Sequence, residues 1–266
     1  MRFTVNVKDY DLAKTLECGQ VFRFHKQGDA YRLFASNMVC TVSQQGTSIT
    51  LECSKTDTAV QMFWMRYFGF TDNLTEFYAL MNQNSFLKQV ALENSGLRVL
   101  HQDKFEVLIS FIISQNNNIS KIKSSIEKVC WACGKSLGGE EYAFPTAEEL
   151  LQVNLECAKL GYRLGYVLNI AEAMLRGELN LDSLTAGRVS YKRALQELCS
   201  YHGIGVKVAN CVALFGLGHS EAFPIDVHMK RVLALPEMQG VAPESFGKYA
   251  GLLQQYLFNW ALQNNL

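Results

Sequence analysis

The chain has 266 residues, 48% of them hydrophobic, and its 25 lysines and arginines balance 25 acidic residues. That length holds two or three small domains, and that hydrophobic content excludes a disordered chain. A net charge of zero supplies no overall positive field, so any nucleic-acid binding needs a local basic face. The candidates for such a face are Lys121, Lys123, Lys128, Arg163, Lys207, Lys230 and Arg231.

The eight cysteines are scattered, and only Cys130 and Cys133 have the spacing of metal ligands. No second pair completes a tetrahedral site, so packing is favoured over a metal or redox role. Unpaired thiols in this number are typical of a reducing compartment. The first seven residues alternate like a strand rather than a leader, and no apolar run is long enough to span a membrane. We therefore expect a cytoplasmic protein without a metal.

Residues 1–54 alternate between apolar and polar positions in short runs, which predicts a small antiparallel sheet. Turn signals at Gly28-Asp29 and Gly46 separate some of these runs. The predicted strands are Phe3/Val5/Val7, Val21–Phe24, Ala30–Ala35, Val39–Val42 and Thr47–Leu51.

From about Asp57 onward the apolar spacing becomes helical. Thr146 and Glu149 have the pattern of a capping box for a helix that starts near Leu150. Further helices are predicted over residues 60–67, 77–81, 105–113, 119–130, 166–176, 191–199, 206–217, 227–233 and 244–262. The chain is therefore expected to be sheet at its start and helical afterwards.

The stretch 202–211 places a Gly-x-Gly turn directly before an apolar helix that carries one amine, Lys207. Gly203 and Gly205 permit a tight turn and a close approach to another molecule, and the free N–H groups of a helix start bind phosphate. A lysine in water has a pKa of about 10.4, and desolvation or a helix start lowers such a value. Lys207 is therefore an activated amine, a phosphate contact or, in the plainest interpretation, a surface lysine.

Asp226 lies nineteen positions after Lys207, just after Pro224 and before another helical pattern. An aspartate in that position is a common helix cap, and capping alone would explain it. The two roles are compatible, because a capping carboxylate is rigidly held and ionised and can stabilise a developing positive charge.

Residues 198–232 resemble the helix-hairpin-helix and Gly/Pro…Asp motif of the base-excision DNA glycosylases. Further segments, which keep their order over nearly the whole chain, are similar to the 8-oxoguanine DNA glycosylases in particular. They are Gly19-Gln20-Val21-Phe22-Arg23, Ser114-Gln115-Asn116-Asn117-Asn118-Ile119, Leu160-Gly161-Tyr162-Arg163, Phe223-Pro224-Ile225-Asp226-Val227-His228-Met229, and Tyr249-Ala250-Gly251 followed by Gln254, Leu257 and Phe258. The short chain resembles a compact, prokaryotic-type member.

The resemblance implies an α+β, predominantly helical fold, in which an N-terminal antiparallel sheet precedes two helical subdomains that flank a DNA-binding cleft. We expect the sheet over residues 1–55, a helical subdomain over 56–125, the helix-hairpin-helix catalytic subdomain over 126–232 and a C-terminal helix over 233–266. The implied partner is double-stranded DNA that contains 8-oxoguanine, bound by a monomer. No cofactor is implied, although the hairpin carbonyls of this family can hold a monovalent cation.

The resemblance also implies roles for single residues. Lys207 is the nucleophile and Asp226 stabilises the charge that develops on the sugar. The lesion pocket consists of Gly19, whose carbonyl accepts the N7 hydrogen of 8-oxoguanine, Gln254 at the Watson–Crick edge, and Cys211 and Phe258 on the two faces. The residues implied to hold DNA are Asn116 in the vacated stack, Tyr162 and Arg163 at the orphaned base, His228 at a phosphate, and Lys121, Gly203, Gly205 and Val208.

The function implied is excision of 8-oxoguanine through a lysine Schiff base, followed by strand cleavage by β-elimination. Lys121 stands where eukaryotic members carry an arginine, and lysine lacks the planar bidentate fork, so we expect a weak preference for cytosine opposite the lesion. Two alternatives remain: a helix-hairpin-helix glycosylase for another oxidised or alkylated base, and a non-catalytic helix-hairpin-helix DNA-binding protein.

Overall fold

In a computed structural model that describes residues 2–53 and 57–266, the chain opens with a five-stranded antiparallel sheet in the spatial order β1-β5-β4-β3-β2. The strands are β1 (Arg2–Asn6), β2 (Phe24–Gln27), β3 (Ala30–Ala35), β4 (Met38–Gln45) and β5 (Ser48–Cys53). Gly28 and Gly46, with φ of 60° and 58°, lie at the predicted hairpin turns. The predicted N-terminal antiparallel sheet is therefore confirmed.

The sheet buries one face because apolar side chains alternate along its strands. Leu33, Val42 and Leu51 are fully buried there and form a cluster with Trp64 and Tyr67. The two aromatic residues belong to helix α2 (Thr58–Tyr67), which starts immediately after Asp57 caps it. The domain boundary predicted at residues 55–56 lies outside the described residues, and the four-part division of the chain stays a prediction.

Two details of the N-terminal region differ from the prediction. A short helix, α1 (Leu12–Glu17), follows β1, and Asp11 caps it by accepting a hydrogen bond from the Lys14 N–H at 2.9 Å. The strand predicted over Val21–Phe24 is wrong, because β2 begins only at Phe24. Residues 19–23 form an irregular turn instead, in which Gln20 bonds to main-chain groups of other segments.

The rest of the described chain is mainly helical. After α2 come α3 (Thr75–Met81), α4 (Ser85–Glu93), α5 (Lys104–Ile113), α6 (Ile119–Cys133), α7 (Ala147–Gln152), α8 (Arg163–Leu175), α9 (Tyr191–Cys199), α10 (Val206–Phe215), α11 (Val227–Leu233) and α12 (Ala250–Gln263). The capping box of Thr146 and Glu149 is present at the start of α7. The α+β, predominantly helical class is confirmed.

The structure corrects the prediction at three places in this helical part. A hairpin of β6 (Ser136–Gly138) and β7 (Glu141–Tyr142) interrupts the helices, and α4 has no counterpart among the predicted helices. The single helix predicted over 244–262 is two elements, a 3₁₀ segment (Pro243–Tyr249) and α12. Gly247 has φ of 51°, a left-handed backbone conformation that a continuous right-handed helix cannot contain.

Helices α5 and α10 form the centre of the helical part. All residues from Glu106 to Ile113 and from Val208 to Phe215 are buried, so both helices are covered on every side. Phe111 of α5 stacks on Phe215 of α10 with ring centroids 5.4 Å apart. The first turn of α10, which carries Lys207, is the part of that helix that emerges from the core.

Helix α12 approaches α10 closely because of one glycine. A Cβ atom on Gly251 would lie 2.2 Å from Cδ1 of Leu214 in α10 and 2.8 Å from the main-chain oxygen of Ser220, nearer than such atoms approach. The Gly251 N–H donates to that same oxygen at 2.9 Å. This contact places the next turns of α12, with Gln254 and Phe258, beside the start of α10.

Candidate active site

The turn between α9 and α10 is built around Gly203, whose φ is 96°. A Cβ atom there would lie 2.3 Å from Cγ of Tyr166, so a side chain would collide with that ring. The Gly203 carbonyl accepts a hydrogen bond from Gln115 Nε2 at 2.9 Å. Gly205 caps α10 without any side-chain hydrogen bond, which leaves the first N–H groups of the helix available to an anion.

Lys207 lies in the first turn of α10 and is half-buried. Its Nζ is 5.2 Å from the ring centroid of Phe111, so an aromatic face covers one side of the amine. Cys211 follows one turn later and is buried, and this burial raises the pKa of its thiol to about 11. The thiol therefore stays protonated at neutral pH and presents a weakly polar surface beside the amine.

Asp226 caps helix α11, as its sequence position indicates. Its Oδ1 accepts a hydrogen bond from the Met229 N–H at 2.9 Å. The same residue lines a cavity with Lys207, so the cap does not exclude a catalytic role. No ion pair joins Lys207 to a carboxylate in the parts of the chain that the structure describes. The Lys207 amine is therefore not held by a carboxylate within the described chain.

One residue that the sequence analysis did not select links these two groups. Asn210, 5% exposed and one turn after Lys207, donates from Nδ2 to the Val206 carbonyl at 2.9 Å. Its Oδ1 accepts from the Phe223 N–H at 3.3 Å and from the Tyr191 hydroxyl. Asn210 thereby fixes the start of α10 to the loop that leads to Asp226. The only signal in the sequence is a polar residue inside an otherwise apolar helix.

The cavity between α10, α12 and the turn at Gly19 has a volume of about 50 Å³. It brings together all six residues that were predicted for catalysis and for the lesion pocket. Its lining consists of Gly19, Phe111, Lys207, Cys211, Phe215, Pro224, Asp226, Gln254, Gln255 and Phe258. A volume of about 50 Å³ holds a few water molecules, whereas sites for small organic ligands measure roughly 300 Å³ or more. The cavity is therefore too small for a purine base in this conformation.

Phe258, which lines the cavity, contacts a histidine that is not part of the lining. The half-buried ring of Phe258 meets the ring of His228 at right angles, with centroids 5.8 Å apart. His228 Nδ1 lies 2.7 Å from the main-chain oxygen of Leu266. The role predicted for His228, contact with a phosphate, stays a prediction.

The residues predicted to enter the DNA stack form a second, exposed group. Tyr162 is 52% exposed, and its hydroxyl lies 3.1 Å from Asn116 Nδ2. Arg163 donates from Nε to the Gln115 carbonyl at 2.7 Å and from a terminal nitrogen to the Asn116 carbonyl at 2.9 Å. Asn116 itself has φ of 47°. The structure thus joins two chain segments 46 positions apart at one protruding point.

The predicted basic face is less uniform than the sequence indicates. Lys121 is exposed in the first turn of α6. Lys123, in contrast, lies half-buried with its Nζ 3.5 Å from the ring centroid of Phe24, and burial lowers its pKa. Larger clefts of about 590 and 1090 Å³ exist elsewhere, but neither is lined by Lys207 or Asp226. Chemistry rather than size therefore identifies the small cavity as the candidate active site.

Comparisons with known proteins identify the family of this chain. The family described as the 8-oxoguanine DNA glycosylase N-terminal domain matches residues 2–108. The N-glycosylase/DNA lyase of Saccharomyces cerevisiae is 30% identical, over 87% of this chain and 69% of the yeast protein. The chain belongs to the 8-oxoguanine DNA glycosylase/lyase family.

Solved structures of this family have the same fold. The structure of MBOgg1 with a low-affinity DNA ligand is 29% identical, covers 100% of this chain and 96% of its own, and has a TM-score of 0.91. The Clostridium acetobutylicum 8-oxoguanine glycosylase/lyase, bound to double-stranded DNA with cytosine opposite the lesion, is 29% identical, covers 99% of both chains and has a TM-score of 0.87. The protein is thus an N-glycosylase/DNA lyase of this family. Within the described residues, no helix is both long and apolar enough to cross a membrane.

Proposed function

We propose that this enzyme excises 8-oxoguanine from double-stranded DNA through a Schiff base on Lys207 and then cleaves the strand by β-elimination. One observation carries the proposal: a lone amine, a carboxylate and a base-reading turn share a single cavity, through Lys207, Asp226 and Gly19. The family membership and the substrate in the DNA complex of the Clostridium enzyme support the choice of lesion.

The first step needs an uncharged amine at Lys207. Its Nζ attacks C1′ of the flipped nucleotide, the C1′–N9 bond breaks, and the base leaves with the bonding electrons and takes up a proton. Asp226 stabilises the positive charge that develops on the sugar. Because the Met229 N–H already holds one of its oxygens, this carboxylate is fixed in place before the reaction.

The second step follows from the chemistry of the intermediate. Opening of the sugar ring gives an iminium bond between Nζ of Lys207 and C1′, which makes the C2′ hydrogens acidic. Loss of one C2′ proton forms a double bond to C3′ and expels the 3′ phosphate with its electrons, so the strand breaks on the 3′ side. A glycosylase that used water instead of an amine would stop at the abasic site.

Base flipping requires that something replace the base in the stack and that phosphates be held nearby. Asn116, which is exposed and bonded to the Tyr162 hydroxyl, is proposed to be the residue that enters the duplex. The adjacent DNA strand is proposed to be bound by the uncapped start of α10 at Gly205, by the turn at Gly203 and by Val208. Arg163 and Lys121 are proposed to face the orphaned base, and His228 a phosphate.

The lesion is distinguished from guanine at N7. In 8-oxoguanine N7 carries a hydrogen, which the carbonyl of Gly19 would accept, whereas in guanine N7 is itself an acceptor. Two acceptors face to face leave a buried group unpaired, at a cost of about 1–3 kcal/mol. Gln254 is proposed to bond the Watson–Crick edge, with Phe258 and Cys211 against the two faces of the base.

Borohydride trapping tests this proposal. The enzyme is mixed with a duplex that contains 8-oxoguanine, opposite each of the four bases in turn, and sodium borohydride reduces any Schiff base to a stable adduct. We expect an adduct with the wild type and none with Lys207→Gln, which keeps a polar side chain one atom shorter but lacks a nucleophile. Tight binding by the wild type without any adduct or strand cleavage would instead show a non-catalytic DNA-binding protein.

A second candidate is a glycosylase for alkylated bases. The DNA-3-methyladenine glycosylase of Bacillus subtilis is 30% identical over 63% of this chain and 58% of its own length. A panel of duplexes with 8-oxoguanine, 3-methyladenine or thymine glycol separates the candidates. Faster excision of 3-methyladenine or thymine glycol than of 8-oxoguanine would remove the pocket roles proposed for Gly19 and Gln254.

A further inference from the structure

A buried chain of polar side chains connects the two lesion-reading sides of the cavity. Gln255 Nε2 donates to Gln254 Oε1 at 2.7 Å, and Gln255 Oε1 accepts from the Cys18 thiol at 3.3 Å. The thiol sulfur also lies 3.3 Å from Gln20 Nε2. Cys18 and Gln20 are the two neighbours of Gly19, so the chain joins the turn at Gly19 to the amide of Gln254.

Gln20 is the fixed end of this chain. Its Nε2 donates to the carbonyls of Thr15 and Arg98, both at 2.8 Å, and its Oε1 accepts from the Leu100 N–H at 2.8 Å. Its own carbonyl accepts from Gln102 Nε2 at 2.8 Å. Since these partners are mostly main-chain groups of other segments, both the orientation of the Gln20 amide and the position of the turn are determined.

Every member of the chain is buried. Cys18, Gln20, Gln255 and Gln254 are 0%, 1%, 3% and 4% exposed. Burial raises the pKa of the Cys18 thiol to about 12, so at neutral pH the thiol keeps its hydrogen, which it can donate to Gln255 or to the Thr15 carbonyl 3.4 Å away. In such surroundings an unpaired polar atom is costly, which disfavours the alternative arrangements of the two glutamine amides.

The chain engages one end of the Gln254 amide. Oε1 has one lone pair engaged by Gln255, and Nε2 has no acceptor among residues 2–53 and 57–266. An amide in this state offers a donor and an acceptor side by side. That pair matches a guanine-type edge, in which the O6 acceptor adjoins the N1 hydrogen. If the order of the amide donor and acceptor is fixed, the pair does not match an adenine-type edge, in which donor and acceptor are exchanged.

We propose that Cys18 and Gln255 are positioning residues that determine lesion specificity by holding the Gly19 carbonyl and the Gln254 amide in one rigid frame. The proposal rests on the proposed function, because it concerns the recognition of the same base. The two residues touch the reading groups rather than the sugar, so they act on the choice of base and leave the chemistry of Lys207 intact.

The test compares excision of 8-oxoguanine with excision of 8-oxoadenine under single-turnover conditions. Gln255→Met keeps the side-chain volume but lacks the donor, and Cys18→Ala removes the thiol. We expect the ratio of the two rates to fall about fivefold to tenfold in Gln255→Met, the effect of one neutral hydrogen bond, and less in Cys18→Ala. Cys18→Ser, which keeps a donor, should restore the ratio. Cleavage of duplexes with preformed abasic sites should remain at the wild-type rate.

A matched control is available on the same helix. Asn259 is also buried, at 7% exposure, and donates to Asn94 Oδ1 at 2.6 Å away from the cavity. Asn259→Leu should lower thermal stability without changing the ratio. An unchanged ratio in Gln255→Met, or a parallel loss of excision and abasic-site cleavage, would overturn the proposal. A wild-type enzyme that does not process 8-oxoguanine at all would overturn the proposed function and this inference together.

Discussion

The two walls of the candidate active-site cavity, one proposed to react with the sugar and the other proposed to read the base, differ in how their side chains are bonded. The reactive wall, Lys207 and Asp226, has an amine that contacts an aromatic ring and forms no ion pair within the described residues, and a carboxylate held at one oxygen by a main-chain N–H. The reading wall, Gly19 and Gln254, is tied through buried side chains to main-chain groups of distant segments. The polar side chains of the first wall have few hydrogen-bond partners, whereas those of the second wall belong to a buried hydrogen-bond network.

The difference follows from what each wall must do. A nucleophile that was already bonded to a carboxylate would have to break that bond before it could react. A group that discriminates between bases must not adapt to the wrong one, so its freedom has to be removed in advance. Changes in the reactive wall should therefore lower every activity, and changes in the reading wall should alter only the choice of base.

The largest effect is expected from Asp226→Asn in the reactive wall. Asparagine caps a helix as well as aspartate does, so the melting temperature should remain within about 2 °C. Excision should fall about 100-fold to 1000-fold, because the charge that stabilises the transition state is lost. Single-turnover excision and thermal denaturation measure the two quantities. A large loss of stability would mean that the carboxylate serves the fold rather than the reaction.

A smaller loss is expected when the link between the two reactive groups is removed. Asn210→Leu deletes the bonds to Val206 and Phe223 at similar volume, so Lys207 and Asp226 lose their fixed separation. We expect excision and abasic-site cleavage to fall together, by about tenfold, with little change in affinity for a duplex carrying a stable abasic analogue. Tyr191→Phe should lower both rates less than Asn210→Leu does, since it removes only one hydrogen bond to Asn210.

Gln254→Met tests the reading wall. It should slow excision of 8-oxoguanine by about tenfold, because the Watson–Crick edge loses its partner, and leave cleavage of preformed abasic sites unchanged. The two rates are compared on duplexes of the same sequence, one with 8-oxoguanine and the other with a preformed abasic site. If both reactions slowed equally, the separation between the walls would be wrong.

The last effect concerns the stability of the fold rather than the reaction. Glu106 is buried, and desolvation raises its pKa to about 7, outweighing the attraction of Arg23, whose guanidinium is 3.5 Å away. The folded state therefore binds this proton more tightly than the unfolded state, and the stability that it contributes is lost as pH rises from about 4.5 to 7. The loss should be roughly 2–3 kcal/mol in the wild type and absent in Glu106→Gln, so it should appear as the pH-dependent difference in stability between the two proteins. Thermal or denaturant unfolding across this pH range measures it.

Several elements could be predicted from sequence because local chemistry determines them. The bounds predicted for α9 and α11 are those of the structure, and the capping box at Thr146 is present. The strand Ala30–Ala35 and the turns at Gly28 and Gly46 were likewise correct. In each case a cap, a glycine or a strong periodicity lies within a few residues of the element.

The features that were missed depend on contacts between distant segments. Helix α1 has only six residues, too few for a clear period, and the break at Gly247 interrupts a pattern that is apolar on both sides. Asn210 and Gln255 appear in sequence as polar residues in apolar helices. Their importance comes from partners such as Phe223 and Cys18, which only the folded chain brings near.

The small size of the cavity has a consequence for how affinity should be interpreted. Because about 50 Å³ is smaller than a purine, the cavity must widen before it can hold an extruded base, and the measured affinity is then the intrinsic affinity multiplied by the fraction of molecules in the wider form. A substitution that widens the cavity should therefore tighten the binding of damaged and normal bases by the same factor. The selectivity between bases, which the frame of Gly19 and Gln254 is proposed to determine, would not change. The enzyme would, however, stay bound to undamaged DNA for longer.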